Sequence, residues 1–427
     1  MRFHLLHPRD QLVAIMERIY RNNMTTLSGG NLSIRDTNDD IWITPAGVDK
    51  GALTPKDIMC VQADGRIVGP HRPSSEYPFH RAIYARRPDL RAIVHAHPPA
   101  LVSFSIMRET PVTDIIPQAR RICGAVGYAP YALPGSEALG EVIAETFAQG
   151  YETVLLENHG IAAGGEDLRA AFQRLETLDF CARTLLQARG LGPVHRLSEE
   201  QIAYFDGRES LLPEFDPAEH TSPEREVRGR IVEIVHRACD RYLMISTEGV
   251  ASARVDADSF IITPTGQDRR SMEIEDLVLI REGRRERGKH PSRSARLHQA
   301  IYEAHPEIGA ILIAQPPHVM AFAIAGQPFD TRTIPESYIL LRDIPLISYG
   351  AQYRDPGRIA AALSGETPVM FVQNDCVLSV GGDVLQAFDR LEVAEFSAKS
   401  VLDILPLGKL VPIGDGEIEA LKLKFLQ

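Results

Sequence analysis

The sequence of 427 residues lacks the features that define several classes of protein. Its five cysteines are odd in number, scattered and never in CxxC spacing, which argues against a disulfide framework. No apolar run approaches the roughly 20 residues that a membrane-spanning helix needs. Basic residues are not in excess, because the formal charge is -11, and this argues against a general nucleic-acid binder.

A secretion signal is also missing from the start of the chain. The segment MRFHLLHPRDQLVAIMERIYRNN has acidic residues and helical periodicity instead of a basic stretch followed by an apolar one. Together with the cysteine pattern, this predicts a cytoplasmic protein with reduced thiols. The chain is otherwise ordinary globular material, 44% hydrophobic and 24% charged, and its length suits two domains of about 200 residues.

The most informative feature is that the chain repeats itself. The segment ITPAGVDK, which begins at Ile43, recurs as ITPTGQDR from Ile262, and 262 minus 43 is an offset of 219. The segment AIVHAHPP recurs as AILIAQPP, and His80 recurs as His298, both at an offset of 218. Matches in the same order at a nearly constant offset indicate a tandem duplication.

The duplication predicts the domain organisation. We predict a first domain over residues 1–204, a polar, proline-containing linker over 205–227 and a second domain over 228–427. Each half begins with an amphipathic helix, continues with short strands and helices, and ends with a long helix, from about Glu166 to Ala188 in the first half. Strands clustered between helices predict an α/β fold of three α/β/α layers around one central sheet.

Two histidines in a strand-like run are the first candidates for chemistry. His95 and His97 lie at i and i+2 in AIVHAHPP, so a strand would put both imidazoles on one face, at the strand end that the two prolines enforce. His159 follows another apolar run, TVLLENHG. Three imidazoles would leave coordination positions open for a substrate, as in catalytic metal sites. A histidine satisfied in the core or at the surface remains the alternative, because HxH spacing alone does not establish a metal site.

The comparison between the halves favours the metal site. All three histidines and Glu76 are replaced in the second half, although the backbone motifs around them survive. A metal site kept in one copy and lost in the other explains this joint replacement, and we predict that the second half binds no metal at this position. The replaced pairs are His95 and Ile313, His97 and Gln315, His159 and Asp375, and Glu76 and Ser294.

The local motifs resemble those of a known family. TLSGGNLSIR, ITPAG, PSSEYPFH, AIVHAHP and LLENHG, in this order, resemble the class II aldolase/adducin family, closely over about residues 10–190 and as a degenerate copy over 228–403. The resemblance implies a class II aldolase-like fold, a divalent metal ion on the three histidines and Glu76 as the acid/base beside it. It further implies that a substrate phosphate is bound by five residues: Gly30, Asn31, Gly47, Ser74 and Ser75. For the two serines, helix capping is the alternative role.

These residues lead to a functional prediction. We predict a metal-dependent aldehyde-lyase of the class II aldolase type, which acts on a ketose or ketose phosphate through an enediolate in carbohydrate metabolism. Zinc is the first expectation for the metal, and Mn, Fe, Co and Ni stay open because three imidazoles accept each of them. The alternatives are a decarboxylase, dehydratase or epimerase with the same metal-enolate chemistry, or a non-enzymatic scaffold as in the adducin branch.

The sequence departs from the family pattern at two positions. Ala46 stands where the aldolases usually have a hydroxyl residue, and Ile116 stands near the position of a tyrosine acid that a neighbouring subunit supplies. In the second half, Tyr338 is a candidate to enter a neighbouring site. Three polar residues near Ile116 suit either a grip on a carboxylate or a solvated surface: Gln118, Arg120 and Arg121.

The resemblance also bears on assembly. Members of the family form four-fold rings with active sites between adjacent subunits. A chain that holds two copies would complete such a ring from two chains. We therefore predict a homodimer with pseudo-four-fold symmetry that acts on a small sugar-like substrate, without nucleic-acid or membrane partners.

Overall fold

The computed structural model describes residues 3–207 and 212–426, and these form two units. The first unit runs to Asp114 and from Gln118 to Arg183, while the chain from Thr184 onward belongs to the second unit. The short segment Ile115–Pro117 also groups with the second unit.

The predicted linker 205–227 falls within the second unit, and its residues 208–211 lie outside the described residues. Helix formation begins inside this range: Thr221 accepts a hydrogen bond from the backbone of Glu224 at 3.3 Å and caps a helix that starts at Ser222. The domain boundaries at 204 and 228 stay predictions.

The first copy contains one mixed, mainly antiparallel sheet with helices around it. The helices are α1 (Pro8–Arg21), α2 (Tyr77–Arg86), α3 (Pro99–Met107), α4 (Pro117–Cys123), α5 (Glu137–Ala148) and α6 (Leu168–Ala188), with a 3-10 turn at Phe3–Leu5. The strands are β1 (Asn31–Arg35), β2 (Ile41–Ile43), β3 (Met59–Val61), β4 (Ile67–Val68), β5 (Ala92–Ala96), β6 (Val126–Ala129), β7 (Thr153–Leu156) and β8 (Gly160–Gly165). Among the described residues the strand order is β4-β3-β2-β1-β5-β8-β7-β6, and β6 pairs with β7 in parallel.

The core of the first copy positions the central strand β5. Phe79 and Ile83 of α2 and Ile143 and Phe147 of α5 form a buried apolar cluster with strand residues that include Ile93. Because side chains alternate along a strand, residue 95 lies on the same face of β5 as residue 93, towards α2. The edge of the His95 ring meets Phe79, with the ring centroids 5.4 Å apart.

The second copy repeats this plan. Its helices are α7 (Glu199–Asp206), α8 (Ser222–Asp240), α9 (Ala295–Ala304), α10 (Pro317–Ala325), α11 (Pro335–Leu341), α12 (Ala351–Arg354), α13 (Pro356–Ala362), α14 (Val384–Ile404) and α15 (Asp415–Phe425), with 3-10 turns at Arg269–Ser271 and Ile274–Asp276. Its strands are β9 (Glu214–Phe215), β10 (Val250–Arg254), β11 (Ser259–Ile262), β12 (Val278–Arg281), β13 (Arg284–Glu286), β14 (Ala310–Ala314), β15 (Leu346–Ile347), β16 (Val369–Val372) and β17 (Cys376–Gly381). Their order in the described residues is β15-β16-β17-β14-β10-β11-β12-β13-β9.

The strand register shows how closely the copies correspond. Asn31 of β1 lies opposite His95 of β5, and Val250 of β10 lies opposite Ile313 of β14. The α/β fold class with two homologous domains in tandem, which the sequence predicted, is confirmed. Within the part of the chain that the structure describes, no helix has both the length and the apolar character of a membrane span.

Candidate metal centre

The three predicted histidines converge at one end of β5. One ring nitrogen from each of His95, His97 and His159 lies within 4.8 Å of those of the other two. The Nε2 atoms of His95 and His97 are 3.0 Å apart, and the ring centroids of the three pairs are separated by 4.8 to 5.0 Å. In residues 3–207 and 212–426 this is the only such group of three metal-binding side chains.

Backbone contacts orient the His95 ring and hold the main chain of His97. His95 is fully buried, and its Nδ1 lies 2.9 Å from the carbonyl of Ile161. An Nδ1–H donated to that carbonyl leaves the Nε2 lone pair facing the other histidines. His97 lies just beyond the end of β5, and its backbone N–H donates to the carbonyl of Met24 at 3.0 Å.

Two glycines allow the chain to approach His95 and His97 closely. A Cβ at Gly160 would lie 2.6 Å from Cδ2 of His97 and 2.5 Å from the carbonyl oxygen of Ala96. A Cβ at Gly30 would lie 2.8 Å from the carbonyl oxygen of His95, and Gly30 has a φ of +72°. Neither contact is compatible with a side chain in the present backbone, so both glycines are required by this geometry.

Glu76 completes the cluster from the start of α2. Its Oε2 lies 3.2 Å from Nε2 of His95, and its Oε1 lies 3.4 Å from Nε2 of His159. Asn31 donates from Nδ2 to Oε2 of Glu76 at 2.7 Å. Glu76 itself occupies the N-cap position of α2, and the Ser74 hydroxyl accepts a hydrogen bond from its backbone N–H at 3.3 Å. The serine therefore holds the backbone of Glu76 rather than capping the helix.

Burial and charge set the ionisation of the cluster. Burial lowers the pKa of His97 to about 3 and that of His159 to about 4, and in both cases the neighbouring His95 adds to the effect. Burial alone would raise the pKa of Glu76, but His95, His159 and the bond from Asn31 outweigh it and hold the pKa well below its usual value. At neutral pH, His97 and His159 are therefore neutral and Glu76 is ionised, which are the forms that bind metals.

The distance between His95 and His97 suits a shared metal ion. Two ligand nitrogens at about 2.1 Å from one ion lie about 3.0 Å apart at a right angle and about 3.4 Å apart at the tetrahedral angle. The Nε2 atoms of His95 and His97 lie 3.0 Å apart, at the short end of this range. Three imidazole nitrogens, with the Glu76 carboxylate beside them, form a donor set that suits Zn and other divalent transition metals. The group could therefore hold a divalent metal ion.

The residues predicted to cradle a phosphate lie in two places. Gly30 and Asn31 are buried beside the histidines, and both ends of the Asn31 amide have protein partners. Gly47 and Ser75 are exposed, and Ser74 is buried next to Ser75. A bridge between Pro45 and Pro73 joins the loop of Gly47 to the segment of the serines. That these residues bind a substrate phosphate stays a prediction.

The remaining candidates lie on or directly before α4 and on α11. Ile116 is only 4% exposed, within a segment that groups with the second unit, where Asn374 donates to the carbonyl of Ile115 at 2.8 Å. Tyr338 is on α11 and is 8% exposed. Gln118 is buried, Arg120 is half-buried and Arg121 is exposed, all three on α4.

The equivalent position in the second copy is filled by protein. Asp375, which replaces His159, is buried and accepts hydrogen bonds from Nε2 of Gln352 and from the hydroxyl of Tyr353. Both donors belong to the short helix α12. Ile313, in place of His95, offers no ligand atom, so this position has lost its metal donors and has gained an internal polar contact.

Two features of the site were not predicted from the sequence. The first is the carbonyl of Ile161, which orients His95. The second is His80, whose Nε2 lies 2.5 Å from Oδ1 of Asn31. The only sequence signal for His80 was its recurrence as His298, which indicated a structural position rather than a functional one.

Comparison with known proteins agrees with the geometry. The family model for the class II aldolase and adducin N-terminal domain matches residues 10–186 and again residues 229–402. The two matches correspond to the two copies of the fold.

Individual relatives match about half of the chain. A 5-deoxy-D-ribulose 1-phosphate aldolase of Bacillus thuringiensis is 30% identical over 202 residues, which are 45% of this chain and 91% of the relative. An L-fuculose phosphate aldolase of Methanococcus maripaludis is 32% identical over 40% of this chain and 93% of its own length. A 3-oxo-tetronate 4-phosphate decarboxylase of Pectobacterium atrosepticum is 32% identical over 46% of this chain and 90% of its own length. Because the two family matches cover most of the sequence, the chain belongs to the class II aldolase and adducin family, as two tandem copies.

Proposed function

We propose that this chain is a divalent-metal-dependent lyase of the aldolase type, acting on a ketose or ketose phosphate through an enediolate. The observation that carries the proposal is the convergence of three histidine nitrogens with the Glu76 carboxylate, within 3.2 Å of His95 and 3.4 Å of His159. The relatives named as phosphorylated-sugar aldolases support the substrate class. A scaffold would have no use for this donor set, whose loss in the second copy leaves the fold intact.

The proposed chemistry divides between the metal and the chain. A divalent ion held by His95, His97 and His159 would act as a Lewis acid that stabilises negative charge on the substrate oxygens. Glu76, ionised and held by Asn31, is the group that takes a proton from the substrate and returns it. The loop of Gly47 and the serines before α2 would hold a phosphate at the other end of the substrate.

Decarboxylation is the second candidate reaction. Loss of CO2 from a 3-oxo acid leaves the electron pair of the broken C–C bond on the neighbouring carbonyl as an enolate, which the same metal site would stabilise, and the Pectobacterium relative is named as a 3-oxo-tetronate 4-phosphate decarboxylase. The absence of a hydroxyl at Ala46 and of a phenol at Ile116 removes two groups associated with the aldolases, and this favours keeping decarboxylation open. Dehydration and epimerisation are further alternatives, because the same metal site would stabilise the anion that each of them forms.

Metal analysis of the purified chain tests the proposal directly. We expect about one divalent ion per chain, zinc before Mn, Fe, Co or Ni, because only one copy has the donor set. The loaded protein is then incubated with ketose phosphates, free ketoses and sugar acids, and cleavage, decarboxylation and epimerisation are followed by NMR. A metal-free protein that binds no added divalent ion and converts none of these compounds would favour the scaffold.

We further propose that the chain is a cytoplasmic homodimer with pseudo-four-fold symmetry. Ring assembly in the family, the tandem copies and five buried cysteines that form no disulfide support this. The expected mass by sedimentation or light scattering is twice that of one chain of 47.3 kDa. A stable monomer with full activity would contradict the dimer without touching the proposed reaction.

A further inference from the structure

A buried chain of hydrogen bonds leads from the interior of the first copy to Glu76. The hydroxyl of Ser33 lies 2.7 Å from the Tyr84 hydroxyl and 2.7 Å from Nδ1 of His80. Nε2 of His80 lies 2.5 Å from Oδ1 of Asn31, whose Nδ2 lies 2.7 Å from Oε2 of Glu76. All five residues are buried, and His80 and Ser33 are fully inaccessible to solvent.

The partners fix the direction of every bond. The ionised Glu76 can only accept, so Asn31 presents its NH2 group to Glu76 and its carbonyl oxygen to His80. His80 must then donate from Nε2, which leaves Nδ1 as the acceptor for the Ser33 hydroxyl. The Ser33 oxygen in turn accepts from Tyr84. Each group therefore donates towards Glu76, and a rotation of the Asn31 amide would place two donors, or two acceptors, face to face.

The second copy keeps the inner part of this chain and lacks the outer part. Ser252 lies 2.7 Å from Nδ1 of His298 and 2.7 Å from the hydroxyl of Tyr302, as in the first copy. Val250 stands in place of Asn31, however, and Nε2 of the fully buried His298 has no hydrogen-bond partner. The second copy therefore adopts the same fold without a hydrogen bond from this histidine to an asparagine.

We propose that His80 is a positioning residue that, through Asn31, holds the Glu76 carboxylate in its orientation towards His95. The link occurs only in the copy that has Glu76 and the three histidines, and is missing where Ser294 replaces Glu76. The Asn31 side chain then bridges its two protein partners. The effect of His80 on turnover rests on the proposed function, but its effect on the orientation of Glu76 does not.

The second copy provides a matched control for the test. His80→Phe and His298→Phe each remove a buried histidine that is bonded to a serine, but only the first removes a link to Glu76. Crystal structures of the two full-length variants without metal should show the Asn31–Glu76 hydrogen bond kept in His298→Phe and lost in His80→Phe. An Asn31–Glu76 bond of unchanged length in His80→Phe would overturn the proposal.

A spectroscopic readout complements the structures. We expect Co2+ to bind both variants in the same ratio, because the histidine ligands are intact, with the visible absorption spectrum altered only in His80→Phe. With a substrate found in the screen above, kcat should fall about 10- to 100-fold in His80→Phe, with KM less affected and partial recovery in His80→Gln. Equal spectra and equal kcat for the two phenylalanine variants would leave His80 a purely structural residue and overturn the proposal.

Two further measurements distinguish a failure of this inference from a failure of the proposed function. If the wild-type chain binds no Co2+, the proposed function fails, while the crystal structures still decide whether His80 orients Glu76. If His80→Phe does not fold, Asn31→Val replaces it, because this variant reproduces the arrangement that the second copy tolerates at Val250. A Glu76 carboxylate that keeps its position in Asn31→Val would overturn the proposal, and a rotated carboxylate would support it.

Discussion

A Glu76→Gln variant is expected to retain its metal ion and to lose on the order of 10²- to 10⁴-fold in kcat, the usual contribution of a positioned general acid/base. The amide has nearly the same shape as the carboxylate and can still accept the hydrogen bond from Asn31, so the local packing should persist. It cannot take a proton from carbon at neutral pH. The variant therefore separates proton transfer from metal binding, because the three histidines are unchanged.

The control for Glu76→Gln is the same substitution at a glutamate outside the site. Glu137, at the start of α5, pairs with Arg81 at 3.0 Å while both side chains are more than half exposed. Glu137→Gln should leave kcat within about twofold of the wild type, since exposed ion pairs contribute only about 0–1 kcal/mol. Exchange of a substrate C–H proton with solvent, followed by NMR, measures the step directly. Equal exchange rates in Glu76→Gln and Glu137→Gln would remove Glu76 from the acid/base role.

Local patterns in the sequence were sufficient to predict the secondary-structure elements that position the histidines. The apolar run before the two prolines predicted a strand, and β5 ends at Ala96, directly before His97. The long helix predicted from about Glu166 begins at Leu168. Repetition at a constant offset predicted two similar units, because residues that define a fold recur even where the chemistry is lost. The hydrophobic patterns that predict helices and strands also recur in the second copy, and these patterns are short-range signals.

The contacts that orient the side chains could not be predicted in this way. Asn31 reaches Glu76 over 45 residues and His80 over 49, and no local pattern records such a pairing. The exposed Ser75 and the buried Ser74 are adjacent, and only the tertiary structure distinguishes them. Likewise, the closing of the second site by Gln352 and Tyr353 depends on where α12 packs. The sequence identified which residues were lost, whereas the structure identifies what took their place.

Replacing His97 by glutamine should remove most of the metal, with an affinity more than about 100-fold weaker than in the wild type. Removal of a residue that merely orients a ligand typically costs 10- to 100-fold, and His97 would be a ligand itself. Glutamine is the residue of the second copy at this position, Gln315, so the backbone is known to accept it. The space on one side of His97 is also tight, because a Cβ at residue 160 would lie only 2.6 Å from Cδ2 of its ring.

Gln315→Ala provides the control, since Ile313 and Asp375 give the second copy no complete donor set. Competition with a coloured chelator measures the affinity of both variants. The expected result is a loss of binding in His97→Gln alone, with thermal unfolding of the metal-free proteins little changed. Because ligand binding to the native state raises the unfolding temperature, added zinc should stabilise Gln315→Ala and the wild type but not His97→Gln. If zinc stabilised all three proteins equally, the ion would lie elsewhere in the chain, and the convergence of the three histidines would need another explanation.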